Sequence, residues 1–311
     1  MHGDPTSKTY ASIDIGTNTV TMLVVKHCMK KLSVLFEQEC ITRLGEGLSK
    51  TKHISPNSIS RCKKALMLFK NILTRYSVHE TYCVATSALR DALNQKFVLS
   101  EINSCGFFPQ VITGTEEAKY VAISIKYEFP NLLNNTLCID VGGGSTEVIV
   151  FQNNKKKDVI SFNFGTIILT EKYFCNDPPK KEEINQCRNS IISNLKSMNL
   201  ENFRFANIIG VGGTATTLCA IQKRMLIYDS KIIHGAIMSN QTLNKIKKLL
   251  SEKKLTAKKK IPGLHPDRAQ FVQAGLLIIS TIMGFLNLSS LVVCDRGLRW
   301  GVLRKNIDDN C

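Results

Sequence analysis

Two aspartates stand at corresponding points of a repeated motif. Asp14 and Asp140 each end an apolar run, and each is followed by a turn of small residues and a second apolar run. This pattern predicts a β-hairpin with an acid near its tip, once in each half of the chain. Because hard carboxylate oxygens are what divalent cations prefer, these positions are the first candidates for chemistry.

The turns that follow the aspartates are suited to phosphate. A third turn, residues 211–217, follows a predicted strand and precedes a predicted helix, whose N-terminus favours an anion. Glycine lets backbone N–H groups approach the anion because no Cβ intervenes. The candidate phosphate-binding residues of the three turns are Thr17, Asn18, Gly143, Gly144, Ser145, Gly212, Gly213 and Thr214. The sequence contains neither GxxxxGK[ST] nor GxGxxG, so a P-loop and a dinucleotide fold are not supported.

Three carboxylates beside these turns could bind Mg²⁺. Asp14 and Asp140 precede the turns, and Glu147 lies in the second strand of its hairpin, where its carboxylate could return to the same end. Mg²⁺ usually takes one or two carboxylates, with water and phosphate completing its shell. The alternative for each aspartate is that it only satisfies N–H groups of its own turn.

Four further charged side chains could act on phosphate. Glu116 and Glu117 open a predicted helix, and either carboxylate could take the proton of an attacking water. Arg90 and Arg268 could donate paired hydrogen bonds to phosphate oxygens. Simpler roles stay open, because the helix dipole favours first-turn carboxylates and each arginine has a neighbouring aspartate.

The elements that position these residues alternate between strands and helices. Predicted helices cover residues 59–76, 91–102, 116–128 and 181–197, and predicted strands cover residues 81–85, 110–113, 159–164 and 206–211. This alternation predicts an α/β fold, and the repeated hairpin predicts two related halves.

The composition is that of a folded, strongly basic protein. Of 311 residues, 43% are hydrophobic and 21% charged, which excludes a disordered chain. The net charge of +16 favours anionic partners, whereas an aromatic content of 7% disfavours nucleic acid because few rings can stack on bases. Eleven cysteines without a CxxC pair fit free thiols in a reducing cytoplasm.

Two stretches have two interpretations each. Residues 271–294 carry no charge, but polar residues interrupt them, so they predict a buried helix, a turn and a strand at residues 291–294 rather than a membrane span. A second stretch predicts an amphipathic helix that is either simply solvated or binds anions. Its lysines are Lys245, Lys247, Lys248, Lys253, Lys254, Lys258, Lys259 and Lys260.

Taken in order, the motifs resemble those of the exopolyphosphatase and guanosine pentaphosphate phosphohydrolase (Ppx/GppA) family. They are IDIGTNT (residues 13–19), ATSALR (85–90), TGTEEA (113–118), IDVGGGSTE (139–147), GVGGT (210–214) and PGL (262–264). The resemblance covers about residues 10 to 304. The glycine turns alone would indicate only the wider superfamily of actin, Hsp70 and sugar kinases.

The resemblance implies two ribonuclease-H-like α/β domains flanking a cleft. The expected limits are residues 8–125 and 126–299, with residues 300–311 packing back on the first domain. It also implies Mg²⁺-assisted release of terminal orthophosphate from inorganic polyphosphate, or conversion of pppGpp to ppGpp. Glu117 then matches the catalytic base, with Glu116 as the alternative, and Asp140 and Glu147 match acids that organise metal and water.

Two departures from the family bear on substrate and length. Thr21 stands where members that bind guanosine polyphosphates carry an arginine, which favours polyphosphate, and the C-terminal helical domains of longer members are missing, which favours short chains. The alternative function is a polyphosphate- or nucleotide-binding regulator of the same fold without turnover. No membrane partner is expected, and a homodimer stays open.

Overall fold

The computed structural model of the protein describes residues 7–29, 31–197, 200 and 203–308. The chain forms two compact units: unit 1 comprises Met1–Ile123 and Leu298–Cys311, and unit 2 comprises Ser124–Gly297. The sequence predicts the corresponding limits at residues 125 and 299. The chain thus enters unit 2 once and returns to unit 1 near its C-terminus.

Unit 1 is built on a five-stranded sheet with the order β3-β2-β1-β4-β5. The first three strands form an antiparallel meander, and β4 and β5 continue the sheet parallel to β1. The strands are β1 (Lys8–Ile15), β2 (Thr19–Cys28), β3 (Lys31–Ile41), β4 (Glu80–Ala85) and β5 (Gln110–Val111). Its helices are α1 (Leu48–Thr51), α2 (Pro56–Arg75), α3 (Ser87–Asp91), α4 (Gln95–Asn103), α5 (Gly114–Glu128), which continues into unit 2, and the last helix, α13 (Leu298–Asp308).

The central β1–β2 hairpin is buried on both faces of the sheet. Since alternate residues of a strand point to opposite faces, each face of β2 packs against a different group of residues. Met22 and Val24 of β2 belong to the core that includes α2. Leu23 and Val25 face the other side, where Trp300 of α13 joins them. The tip of the β1–β2 hairpin is therefore held by packing on both faces of the sheet.

One helix of unit 1 differs from the sequence prediction. Residues 91–102 do not form one helix, because α3 ends at Asp91 and α4 begins only at Gln95. The side-chain amide of Asn94 bonds the backbone of Ile54 through two hydrogen bonds of 2.9 Å each. Helix α3 ends because Ala92 is extended, with φ −82° and ψ 131°. The Asn94 bonds then hold the segment between the two helices against Ile54.

Unit 2 is built on a six-stranded sheet with the order β10-β11-β9-β6-β7-β8. Its strands are β6 (Thr136–Val141), β7 (Thr146–Gln152), β8 (Lys155–Phe162), β9 (Asn207–Val211), β10 (Ile237–Ser239) and β11 (Ser290–Cys294). Its helices are α6 (Thr166–Tyr173), α7 (Lys181–Lys196), α8 (Gly212–Lys223), α9 (Ser230–Ile233), α10 (Asn240–Ser251), α11 (Leu255–Lys258) and α12 (Val272–Phe285).

The uncharged stretch of the sequence forms the central helix of this unit. Helix α12 is buried along most of its length and packs against α6, α7, α8 and α10. It ends at Phe285, and β11 begins at Ser290, one residue before the predicted strand at residues 291–294. In the described ranges, no helix is long and apolar enough to cross a membrane.

Five strands of each sheet share one topology, and β10 is an additional antiparallel strand of unit 2. Strands β6, β7 and β8 form an antiparallel meander like that of β1, β2 and β3, and β9 lies parallel to β6 as β4 does to β1. The prediction of two related α/β halves is confirmed. In each unit the candidate functional residues lie at the carboxyl ends of the parallel strands, where open α/β sheets bind ligands.

Candidate active site

The two hairpin turns close in the same way. In unit 1 the N–H of Gly16 donates to the carbonyl of Thr19 at 2.9 Å, and in unit 2 the N–H of Gly142 donates to the carbonyl of Ser145 at 3.0 Å. A Cβ on either glycine would lie 3.1–3.2 Å from that carbonyl oxygen. The repeated motif of the sequence therefore corresponds to a repeated backbone structure.

The segment after the third strand braces the unit 1 turn. The N–H of Gly45 donates to the carbonyl of Thr17 at 2.8 Å, and two more N–H groups, from residues 42 and 43, donate to the carbonyl of Asn18. A Cβ on Gly45 would lie 2.2 Å from the Thr17 side chain, so a larger residue here would force that side chain to move. The Thr17 methyl group is thus part of the brace, and its side chain is buried.

A second glycine braces the unit 2 turn. The carbonyls of Gly142 and Gly143 each accept a 2.9 Å hydrogen bond, from Thr166 and Ile167 at the start of α6. A Cβ on Gly165 would lie 2.5 Å from the backbone of Gly143. Since the carbonyls face α6, they are held away from any anion that the turn binds.

Sequence reasoning missed both bracing glycines. Gly45 and Gly165 each follow the third strand of a meander, and that shared position is the signal that could have identified them. Among the described residues, the N–H groups of Gly143 and Gly144 donate no backbone hydrogen bond outside regular elements. This is the arrangement of a turn that binds an anion through its amides.

Two of the predicted acids are direct neighbours across the β6–β7 hairpin. Asp140 pairs in register with Glu147 on one side and with Val211 of β9 on the other. Glu147 is buried, and its Oε1 accepts a 2.9 Å hydrogen bond from the Ser161 hydroxyl. Burial raises the pKa of Asp140 to about 6 from its ordinary value of 3.8.

The second glycine turn brings a carboxylate and a guanidinium to the start of α8. A Cβ on Gly212 would lie 2.3 Å from Asp140 Oδ1, and a Cβ on Gly213 would lie 2.3 Å from Arg268 Nη1. The hydroxyl of Thr214 donates to the backbone carbonyl of residue 141 at 2.7 Å. The structure therefore brings Asp140 and Arg268 to the first turn of α8, whose N-terminus favours anions.

The donor set of unit 2 fits Mg²⁺. Within the described ranges, no three His, Cys, Asp or Glu side chains converge as a metal site. Mg²⁺ does not need such a cluster, because it binds through one or two carboxylates and takes the rest of its shell from water and substrate phosphate. Asp140 and Glu147 supply that pair. Two negative charges directly opposite each other on neighbouring strands repel, and a bound cation would offset that repulsion.

In unit 1 the predicted base and one predicted arginine are in contact. Arg90 Nη1 lies 3.4 Å from Glu117 Oε2 and donates to the carbonyl of Ile112 at 2.9 Å. The Glu117 side chain is 12% exposed, so it is sheltered but reachable. Arg90 comes from α3 and Glu117 from α5, and the parallel strands β4 and β5 bring the starts of these helices together.

Glu116 has a different role in the structure. Its Oε2 accepts hydrogen bonds of 2.8 Å from both the N–H and the hydroxyl of Thr113, and its own N–H donates to that hydroxyl at 3.2 Å. These bonds form a capping box and hold the pKa of Glu116 below its usual range. Of the two predicted bases, the geometry favours Glu117.

The remaining predicted residues of unit 1 lie at the hairpin tip. Asp14 pairs in register with Thr21 of β2 and with Val84 of β4. The Oδ1 of Asn18 is buried and has no hydrogen-bond partner among the described residues. A buried amide oxygen normally has a hydrogen-bond partner, so the Asn18 Oδ1 can still accept a hydrogen bond from a ligand.

Each unit thus carries a group of polar side chains at the turn of its first β-hairpin, and both turns contain glycine. In unit 2 this group includes the paired acids Asp140 and Glu147. The sequence profile of the Ppx/GppA phosphatase family matches residues 23–309. The chain belongs to the Ppx/GppA phosphatase family. The chain is therefore an enzyme of the phosphatase class, and the resemblance seen in the motifs is confirmed.

Individual relatives support this assignment. The chain is 27% identical to exopolyphosphatase 2 of Mycobacterium tuberculosis over 286 residues, which cover 88% of this chain and 89% of that protein. It is 31% identical to a bifunctional 3-dehydroquinate synthase/phosphatase of Fusobacterium nucleatum over 96% of its own length. The chain spans only 46% of that longer protein.

Solved structures give the same fold. The Ppx/GppA family member of Aquifex aeolicus superposes with a TM-score of 0.83 at 28% identity and covers 98% of this chain and 99% of its own. An exopolyphosphatase structure from Cytophaga hutchinsonii has a TM-score of 0.91 at 23% identity, covering 97% and 98%, and supports the fold alone. The predicted ribonuclease-H-like fold class is confirmed.

Proposed function

We propose that this protein is an exopolyphosphatase that releases terminal orthophosphate from inorganic polyphosphate. The observation that carries the proposal is the position of Asp140, between the amide turn at residues 142–145 and the first turn of α8, where Arg268 covers Gly213. This arrangement places an acid, a guanidinium and two anion-binding turns in one unit. The name of the M. tuberculosis relative and the family of the A. aeolicus structure support the same substrate class.

In this proposal unit 2 holds the phosphate chain. The amides of Gly143 and Gly144, the hydroxyl of Ser145 and the start of α8 donate to phosphate oxygens, and Arg268 adds a charged fork. Such donors stabilise the negative charge of the transferring phosphoryl group, and this stabilisation usually accounts for most of the rate enhancement in phosphoryl transfer. The short side chains at these positions keep the turns close to the substrate.

Asp140 and Glu147 are the residues that would hold Mg²⁺. When bound, the cation would neutralise charge on the phosphoryl oxygens. The Ser161 hydroxyl fixes the orientation of Glu147 through the 2.9 Å hydrogen bond described above. Asp14 is a further proposed ligand from unit 1.

Glu117 is the proposed general base of unit 1. It takes a proton from the water that attacks the terminal phosphorus, and the bond from that phosphorus to its bridging oxygen breaks. A positioned base contributes about 10²- to 10⁴-fold to rate. Arg90 holds the Glu117 carboxylate and can also bind a phosphate oxygen, while Thr17 and Asn18 line the hairpin tip.

The nucleotide pppGpp is a second candidate substrate, because hydrolysis of its terminal phosphoanhydride bond to give ppGpp is the same reaction. Thr21 occupies the position after the first turn, its hydroxyl is buried, and it provides no positive charge for a guanosine polyphosphate. Polyphosphate is therefore the preferred substrate in this proposal, and pppGpp is expected to react more slowly.

The test compares phosphate release by the unmodified protein, by Glu117→Gln and by Glu116→Gln, each with Mg²⁺ and each on tripolyphosphate, long polyphosphate and pppGpp. Glu117→Gln should lose at least about 100-fold in kcat but keep its affinity for polyphosphate, because only the base is removed. Glu116→Gln is the matched control, since it changes the adjacent carboxylate that only caps the helix. Release of orthophosphate at equal rates by all three proteins, or by none, would contradict the proposal.

A further inference from the structure

Unit 2 carries a surface of lysines that the proposed catalysis does not use. It is formed by α10, α11 and the residues between and after them, and we call it the lysine patch. In the part of the chain that the structure describes, none of its side chains forms an ion pair or a hydrogen bond. The patch consists of Lys245, Lys247, Lys248, Lys253, Lys254, Lys259 and Lys260.

The apolar face of α10 fixes the direction of its lysines. Leu243, Ile246 and Leu250 are buried in the unit 2 core. Lys245, Lys247 and Lys248 are therefore on the outer face, and all three are exposed. Unpaired like charges repel one another and attract anions, and a polyanion that binds them releases its own counterions.

One lysine of the same stretch is not part of the patch. Lys258 is buried, its Nζ donates to Gln273 Oε1 at 2.8 Å, and it lies 4.0 Å from Asp177 Oδ1. Asp177 also accepts a 2.7 Å hydrogen bond from the N–H of Leu255. These contacts fix α11 to the start of α12 and to the segment before α7, so the lysines on either side of α11 flank an anchored element.

The segment after α11 connects the patch to the proposed phosphate site. A Cβ on Gly263, whose φ is +86°, would lie 2.1 Å from the carbonyl of Ala220, and further along the segment Arg268 lies against Gly213. Ala220 and Gly213 are both on α8, roughly 10 Å apart along its axis. The segment thus follows α8 from the lysine patch to the turn that we assign to phosphate.

We propose that the lysine patch is a second binding surface for the inorganic polyphosphate chain whose end lies at Gly213 and Arg268. This inference rests on the proposed function. A chain whose end lies at Gly213 and Arg268 must extend along α8 before it reaches the lysine patch. Long chains are therefore expected to reach the patch, and tripolyphosphate is too short to do so. The patch thus gives the enzyme affinity for long chains within its two units.

The chemistry of the patch favours polyphosphate over other polyanions. Lysine is a flexible point charge that suits a chain of phosphates without fixed geometry. Residues 245–260 include no aromatic side chain, so bases of a nucleic acid would find no ring to stack on. The path also begins at Arg268, which already belongs to the proposed phosphate site.

The experiment uses the full chain with three patch lysines neutralised, Lys247→Gln, Lys254→Gln and Lys259→Gln together. The matched control neutralises Lys155, Lys156 and Lys157, which are exposed at the start of β8, the end of that strand away from the phosphate turn. KM and kcat are measured on tripolyphosphate and on long polyphosphate at low and high salt. Each lost lysine contact is worth about 1.5- to 5-fold in affinity, so KM for the long chain should rise about tenfold.

The expected result is specific to chain length. The patch variant should keep its KM for tripolyphosphate and lose part of the salt dependence seen with the long chain, and the control should match the unmodified protein on both substrates. Equal effects on both chain lengths, or none, would overturn the lysine patch while leaving the proposed function intact.

A separate binding measurement distinguishes the two proposals. If the unmodified protein hydrolyses neither substrate, the proposed function fails, and fluorescence anisotropy with labelled long polyphosphate then tests the patch alone. A weaker Kd for the patch variant than for the control supports the patch. If the variant instead loses only affinity for a DNA oligonucleotide or an anionic vesicle, the assignment to polyphosphate is wrong.

Discussion

Replacing Asp140 by Asn should stabilise unit 2 while it stops the reaction. The Asp140 carboxylate is buried at the start of α8, and burial raises its pKa to about 6 from 3.8. Above that pH the folded protein without metal holds a charge that the unfolded chain would solvate better. The difference between the two pKa values corresponds to at most about 3 kcal/mol of unfolding free energy.

The pH dependence of this effect has a definite sign. Since the folded pKa is above the unfolded one, the folded state binds more protons between about pH 4 and 6, and stability falls as pH rises through that range. The neutral amide in Asp140→Asn carries no such penalty. The variant should therefore be more stable than the unmodified protein at about pH 7.5 without metal, and the gain should vanish near pH 4.

Hydrogen exchange read by mass spectrometry can measure this in the protein with a chelator present. Peptides from β6 and β9 should exchange more slowly in Asp140→Asn at about pH 7.5, and peptides from β1 in unit 1 serve as the internal control. Mg²⁺ should slow exchange of β6 in the unmodified protein only. A variant that exchanges as fast as the unmodified protein, or a gain that persists at low pH, would refute the reasoning.

Three further predictions follow from other contacts. Gly165→Ala should destabilise unit 2 by about 1–3 kcal/mol in urea unfolding, because its Cβ would meet the backbone of Gly143, whereas Gly284→Ala, with open space around it, should be neutral or slightly stabilising. Arg90→Ala should raise KM and lower kcat together by at least about tenfold, whereas exposed Arg75→Ala should leave both unchanged. The lowered pKa of Glu116 stabilises the folded protein above the usual pKa of a glutamate, and this stabilisation is lost as the pH falls. Glu116→Gln should therefore lower the free energy of unfolding near pH 7 and have little effect near pH 3, as measured by thermal unfolding between about pH 3 and 7.

Local sequence patterns were sufficient for the twin hairpins. The two acid-tipped motifs repeat residue types that the turn itself requires, so the backbone bonds at Gly16 and Gly142 could be inferred from the sequence. Apolar periodicity likewise located α2, α5 and the buried α12. These features depend on residues that are close together in the chain, so the sequence alone is enough to predict them.

Contacts between distant segments could not be predicted in the same way. The bracing glycine Gly165 contacts the turn at Gly143, two strands earlier in the chain, and its position after the third strand of the meander is its only local signal. Asn94 lies at the break in a predicted helix, and its amide is held by Ile54, 40 residues away in the chain. Lys258 looks like its neighbours in a lysine run, yet its partner is the buried Gln273.

The most direct test of the central claim is the fate of the oxygen from water. Hydrolysis of polyphosphate in H₂¹⁸O with Mg²⁺ should place a single ¹⁸O in each orthophosphate released and none in the shortened chain, because water attacks the terminal phosphorus. Glu117→Gln should bind the chain and release no labelled phosphate on the same time scale. Label in the shortened chain, or labelled orthophosphate formed by Glu117→Gln at the rate of the unmodified protein, would contradict the account.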